Sequence, residues 1–237
     1  MAQHVSIRNI RNTFEFAIGS AADLYASVEP FVRRDFESIT TNPLHPSQAR
    51  RVVALAFLAV VASWEEFIEG VFVRYLCGAR SMMRRRTQLK FGPAATLKDA
   101  YSVVAGRPSF DPLRHYISWS VEETLNRASL FFGSNNPFSD ALTPRKRALE
   151  DAAIIRNRVA HSSQKARSAF RDVAVRLRRR PLPRAYSVGD LLLESVSPAC
   201  ACDYNGEALF EAYLYALRSA ADEIGGLPSH DRIPYES

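Results

Sequence analysis

An all-α fold is what this sequence predicts, and three observations predict it. Apolar residues recur at helical spacing through most of the chain. Serine and threonine caps stand ahead of several of those stretches. Prolines and glycines close them. The expected architecture is a helical bundle with one long early helix and C-terminal helices around a polar motif helix. The 237 residues are 47% hydrophobic, which supports a sizeable core. They show no repeat, low-complexity segment or convincing linker, so one domain, 1–237, is the economical reading.

The first predicted helix runs from about Ile7 to Val28, with Ile10, Phe14, Ala17, Ile18, Ala21, Leu24 and Tyr25 at helical spacing. Pro30 weakens any continuation. Thr40 to Pro46 reads as a turn-rich connection, and Ser47 as the cap of the longest helix, which extends to about Cys77. This helix is nearly all apolar from Val52 to Ala62, so both of its sides should be buried there, at the centre of a bundle or in a dimer interface. Trp64, Phe67, Ile68 and Val71 read as core. Glu65 and Glu69 lie one turn apart on another face, as a solvated acidic face or as an acidic group that orients the arginine or histidine of a later motif. Arg80 and Arg84-Arg85-Arg86 follow, a solvated charge run that also adds to a phosphate footprint.

Residues 87 to 117 carry little pattern. Thr96 starts a short helix to Val104 that Gly106-Arg-Pro108 breaks, and His115 reads as structural. Ser118 or Ser120 caps a helix through Phe132; Ser120-Val-Glu-Glu123 fits a capping box, and Gly133 is its C-cap. Ser134 to Pro137 is a loop. Thr143-Pro144, a cap residue followed by proline, starts the motif helix, on which Leu149, Ala152, Ala153 and Val159 form a modest apolar face. Gln164 to Arg178 is a further helix ending in a basic cluster, stopped by Pro181-Leu-Pro183. Ser187 to Glu194 is short and apolar, a helical turn or a strand, with helix favoured. Asn205-Gly206 is a turn, Glu207 to Ile224 the last helix, and the tail after Pro228 is ordered only if docked.

A net charge of +6 favours acidic partners. Cys77, Cys200 and Cys202 are too few, and odd in number, for a secreted disulfide framework. Cys200-Ala-Cys202 lacks the two-residue spacer of a zinc knuckle, and no metal or other cofactor is expected. The N-terminus has no apolar signal core, and the Val52–Ala62 run is short of the roughly 20 residues that span a bilayer. A cytoplasmic protein without a membrane partner is expected.

The stretch Arg156-Asn157-Arg158-Val159-Ala160-His161 carries the chemistry. Asn157 and His161 are spaced i, i+4, one face of a helix. Arg156 points about 100° away, but its long side chain can reach back. Arginine is a planar, permanently charged fork for phosphate, and histidine is the residue type that exchanges protons near neutral pH. The plainer reading is a histidine serving as a helix-end cap or dipole partner.

An arginine, a polar residue and then a histidine, here Arg156-Asn157-x-x-x-His161, resembles the ribonuclease branch of the HEPN superfamily, an all-α group. Ser63-Trp64-Glu65 on a long early helix, and the order Trp119, Gly133-Ser-Asn-Asn-Pro-Phe138, motif helix, are similar to its prokaryotic members, including ones tied to phage defence and RNA repair. The resemblance covers about residues 45 to 224. It implies a homodimer whose two motifs face each other and cut RNA without metal. Carried onto this chain, it gives His161 proton transfer, Arg156 the scissile phosphate, Asn157 the positioning of phosphate or histidine, and Glu65 the acidic position of the early helix. The expected function is a metal-independent endoribonuclease, a toxin or anti-phage effector held by an antitoxin or regulatory partner. The alternative is an inactive HEPN-like module that binds RNA, nucleotide or a partner protein. A plain helical interaction protein is the third.

Overall fold

The structure, a computed structural model, describes residues 6–33, 44–108, 110–111, 114–195 and 208–227. Its helices are α1 (Ile7–Arg33), α2 (Pro46–Leu76), α3 (Leu97–Ala105), α4 (Val121–Phe131), α5 (Pro137–Leu142), α6 (Lys146–Ala160), α7 (Gln164–Arg178), α8 (Val188–Leu192) and α9 (Leu209–Gly225). Among the described residues there is no strand beyond two isolated bridges, Arg80 with Arg86 and Leu89 with Phe132. The fold class is all-α. No helix among the described residues is long and apolar enough to cross a membrane. Residues 40–43, Cys200, Cys202, the Asn205-Gly206 turn and the tail from Pro228 lie outside the described residues.

The chain divides into two compact units. The first comprises Met1–Glu15, Trp64–Lys146 and Leu217–Ser237; the second comprises Phe16–Ser63 and Arg147–Ala216. Helices α1, α2 and α9 each contribute part of their length to either unit.

In the first unit two aromatic clusters form the core. Phe14, Trp64 and Phe67 meet with ring centroids 5.3–5.7 Å apart. Phe72 contacts Trp119, Phe132 and Phe138 at 4.9–5.2 Å. Two of its buried polar side chains find partners, as a low-dielectric interior favours. The Arg11 guanidinium meets the buried Asp222 carboxylate at 2.7 Å. The Tyr75 hydroxyl donates to the Ile224 carbonyl at 2.6 Å, and burial pushes that phenol well above its ordinary range.

In the second unit Tyr25 stacks on Phe210 at 4.8 Å, and Phe57 tilts against Tyr213 at 5.4 Å. Helix α8 is fastened by a capping box between Ser187 and Asp190 and by an Arg50–Asp190 ion pair at 2.7 Å. The approach to α2 is close at Gly189. A Cβ there would stand 2.2 Å from the Arg50 carbonyl oxygen and 2.7 Å from its carbonyl carbon, backbone atoms that cannot swing aside. Gly189→Ala is expected to lower stability by about 1–3 kcal/mol, the cost typical of overpacking. Urea unfolding should show a lower midpoint at unchanged slope; an unchanged midpoint would mean that α8 moves away freely.

Several boundaries depart from the sequence reading, each for a physical reason. Helix α1 continues through Pro30 to Arg33: the proline forgoes one amide bond, to the Ala26 carbonyl, but so near the end that only the final turn lies beyond it. Leu24, predicted inward, is 48% exposed. Helix α2 starts at Pro46, one residue ahead of the predicted Ser47 cap. The His45 ring accepts from the Ser47 amide at 3.2 Å, and the His45 amide donates to Gln48 Oε1 at 3.2 Å, so a histidine does the work expected of a serine. The apolar run of α2 is not buried all round: Leu55 is 48% exposed and Ala59 is exposed.

Gly133 is not a left-handed cap. Phe132 leaves α4 in extended geometry, and Gly133 serves close approach instead. Its amide donates to the Gln88 carbonyl at 2.8 Å, and a Cβ would meet the Gln88 side chain at 2.9 Å. Two cap-plus-proline pairs stand close together here, at Asn136-Pro137 and at Thr143-Pro144. The first starts α5, read from sequence as loop, with Asn136 Oδ1 accepting from the amides of Phe138 and Ser139. The second forms a turn, because the Thr143 amide is still bound to Ser139 as the C-cap of α5, and the motif helix starts only at Lys146.

Candidate functional site

From Arg147 onward α6 belongs to the second unit. Ala148, Leu149, Ala152 and Ile155 are its buried face, spaced as one side of a helix. Asp151 lies on the same face, 5% exposed, and accepts from Arg176 Nη2 of α7 at 2.5 Å. Burial pushes the Asp151 carboxyl above the usual carboxylate range, against the pull of Arg176 and Arg147.

The chemistry-bearing residues follow at the exposed C-terminal end. Arg156 reaches back: its Nη1 donates to Asn157 Oδ1 at 2.9 Å. His161 is the first residue beyond α6, yet its amide still donates to the Asn157 carbonyl at 2.9 Å. That is the i to i−4 bond of a helix, so the two side chains leave the backbone one turn apart on one side. Asn157 and His161 are exposed and Arg156 is half-buried. Arg156, Asn157 and His161 therefore gather at one accessible place.

The segment after the histidine is held by groups that sequence reasoning passed over. Arg158 Nη1 donates to the His161 carbonyl at 3.3 Å. Arg167, one turn into α7, donates twice to the Ser162 carbonyl, from Nε at 3.2 Å and from Nη2 at 2.9 Å. Ser163 caps α7 through its bond from the Ala166 amide. Two guanidinium groups and a cap thus fix the short link that carries His161. The signal in the sequence was only the density of arginine, which says nothing of which carbonyl each one finds.

Glu65 is half-buried on α2, in the first unit. Its neighbour one turn on, Glu69, is no solvated acid. Its two carboxylate oxygens accept from the Tyr101 hydroxyl at 2.7 Å and from Trp119 Nε1 at 2.6 Å. Burial, with the bond to Glu69 second, pushes the Tyr101 phenol up. The basic cluster 176–180 is also partly internal: Arg176 serves Asp151, and Arg178 binds Glu194 at 2.7 Å while stacking on Tyr186. His115 is exposed, with its Nδ1 3.1 Å from the Asp111 carbonyl.

Compared with family models, curated proteins and solved structures, the chain matches none. The resemblance to the HEPN superfamily rests on the residues quoted for it.

Proposed function

We propose that this chain is an endoribonuclease of HEPN type that cuts RNA by attack of the 2′-hydroxyl on the adjacent phosphate. The observation that carries the reading is the accessible convergence of Arg156, Asn157 and His161 at the end of α6. RNA brings its own nucleophile. His161 takes the proton from the 2′-hydroxyl or gives one to the departing 5′-oxygen. Arg156 neutralises the charge that builds on the phosphate oxygens. Asn157, held by Arg156, adds an amide donor to the same anion. The products are a 2′,3′-cyclic phosphate and a 5′-hydroxyl, and no metal is needed to balance the step.

In an in-line displacement the attacking and leaving oxygens lie on opposite sides of phosphorus. One imidazole cannot reach both, so a second copy of the motif supplies the second. The surface we assign to that second copy is the outward stripe of α2. Val52, Leu55, Ala59 and Ala62 follow a three-and-four spacing, with Leu55 and Ala59 exposed and the other two half-buried, the pattern of a helix–helix seam. Leu55→Glu is expected to shift the protein from dimer to monomer in sedimentation equilibrium and to remove cleavage with it. A Leu55→Glu protein that stays dimeric places the seam elsewhere. A toxin or anti-phage role, with a restraining partner, extends the same reading.

The experiment is cleavage of total RNA in EDTA by the full chain and by His161→Ala. Cutting by wild type alone, with cyclic phosphate ends, supports the proposal. Equal cutting by both would sink the assigned site. No cutting by either, with salt-sensitive binding retained, favours a binding module that has lost the chemistry.

A further inference from the structure

The first unit holds a second polar concavity that the cleavage reading does not use. It is built by a tight arginine hairpin. Arg80 and Arg86 pair across it, the Ser81 amide donates to the Arg85 carbonyl at 2.9 Å, and the Arg84 amide donates to the Ser81 carbonyl at 2.8 Å. Arg84 sits at the turn with φ +59°, a conformation that costs a non-glycine residue about 1–2 kcal/mol. The hairpin is pinned to the end of α9: the Met82 amide donates to the Gly225 carbonyl at 2.8 Å. Gly226 follows at φ +83°, where a Cβ would meet the Ser81 side chain at 2.7 Å. Only glycine satisfies both the dihedral and the approach.

Between hairpin, α9 and the start of α5 lies a cavity of about 300 Å³, lined among others by Ser81, Arg85, Arg86, Asp140 and Glu223. That volume is at the lower end of the ~300–1,000 Å³ range of small-molecule sites. The charges in it are unequal. Glu223 is already matched by a two-point bond from Arg145, at 2.9 and 3.1 Å. Among the described residues that line the cavity, the charges of Arg85 and Arg86 therefore stand against one unmatched carboxylate, that of Asp140. The negative pole expected at the end of α9 is also blunted. The carbonyls of Asp222, Glu223, Ile224 and Gly225 accept from the amides of Leu227 and Gly226, the Tyr75 hydroxyl and the Met82 amide respectively.

We infer that this cavity binds a terminal phosphomonoester on a body the size of a mononucleotide. Two arginine forks lining one cavity match a dianionic phosphate, which a phosphodiester is not. Asp140 accepts a hydrogen bond from a hydroxyl or amino group of the body. Such a group comes from a free mononucleotide or from the 5′ end of a nucleic-acid strand. The inference is independent of RNA cleavage.

The test is calorimetric titration of the full chain with four probes: AMP, adenosine, and a 2′-deoxy trinucleotide with and without a 5′-phosphate. The deoxy strand lacks the internal nucleophile, so its binding reads this site whatever the motif does. AMP or the phosphorylated trinucleotide should bind, and their phosphate-free forms should bind at least about tenfold more weakly. AMP binding alone identifies the free nucleotide as the source; tighter binding of the phosphorylated strand identifies the strand end. Arg85→Ala with Arg86→Ala should weaken the phosphorylated probe by about tenfold or more. Arg84→Gly removes a neighbouring charge while suiting the turn, and should leave binding nearly unchanged. Equal binding with and without phosphate, an equal loss in Arg84→Gly, or no binding of any probe overturns the inference.

Discussion

Replacing His161 by alanine should lower RNA cleavage by about 10²–10⁴-fold, the usual contribution of one positioned proton-transfer group, while RNA affinity stays nearly unchanged. The separation follows from geometry. His161 is exposed at the end of α6, and its imidazole is not among the groups that hold the helix. The neighbouring variants should divide the effect differently. Arg156→Ala removes a phosphate contact as well as transition-state charge stabilisation, so it should lower cleavage and reduce the salt slope of RNA binding by about one. Arg156→Lys restores the charge but not the planar fork, and should recover binding better than cleavage. Arg167→Ala touches no phosphate in the proposed scheme. It frees the Ser162 carbonyl and should lower cleavage less than His161→Ala, with affinity unchanged. Steady-state cleavage of a short RNA and salt-dependent binding by anisotropy separate these cases. A His161→Ala protein that cuts at the wild-type rate would move the site off α6 altogether.

What the sequence made legible is what depends on neighbours along the chain. The bounds of α7, the cap of α3 at Thr96 with its left-handed Gly106, and the short helix after Ser187 all follow from caps and periodicity within a few residues. The i, i+4 relation of Asn157 and His161 belongs to the same class. What stayed hidden depends on groups far apart in sequence. Nothing local distinguishes the Thr143-Pro144 pair from Asn136-Pro137, though only the second starts a helix. Nothing local tells that Glu69 is claimed by Tyr101 and Trp119, 32 and 50 residues away, or that Gly189 and Gly226 are needed for approach to Arg50 and Ser81. The exposure of Leu55 was missed for the opposite reason. An unbroken apolar run has no periodicity from which a solvent face can be read.

The ion pair under the motif, with a buried carboxylate and a half-buried guanidinium, gives the largest expected change in stability. Asp151 is nearly inaccessible and Arg176 is its partner across α6 and α7. Arg176→Leu should cost up to about 3–5 kcal/mol at neutral pH, as when a buried charge loses its partner. The direction of the Asp151 shift says more. Its carboxyl is held above the ordinary range even with Arg176 beside it, so desolvation outweighs the attraction. Replacing both residues, Asp151→Leu with Arg176→Leu, should therefore be close to neutral or stabilising. The pH dependence has a definite sign. Without Arg176 the folded-state pKa of Asp151 rises further above the unfolded value of about 3.9. In that window the folded state binds more protons than the unfolded state, and stability falls as pH rises through it. The deficit of Arg176→Leu should thus be small in acid and grow toward neutral pH, whereas the double variant should track the wild type more closely. Urea midpoints at an acidic and a neutral pH measure both. A single variant equally weakened at both pH values would mean that Asp151 stays ionised without its partner, solvated by water that enters beside α6. An unstable double variant would show that the ion pair, rather than the volume it fills, is what fastens the motif helix to α7.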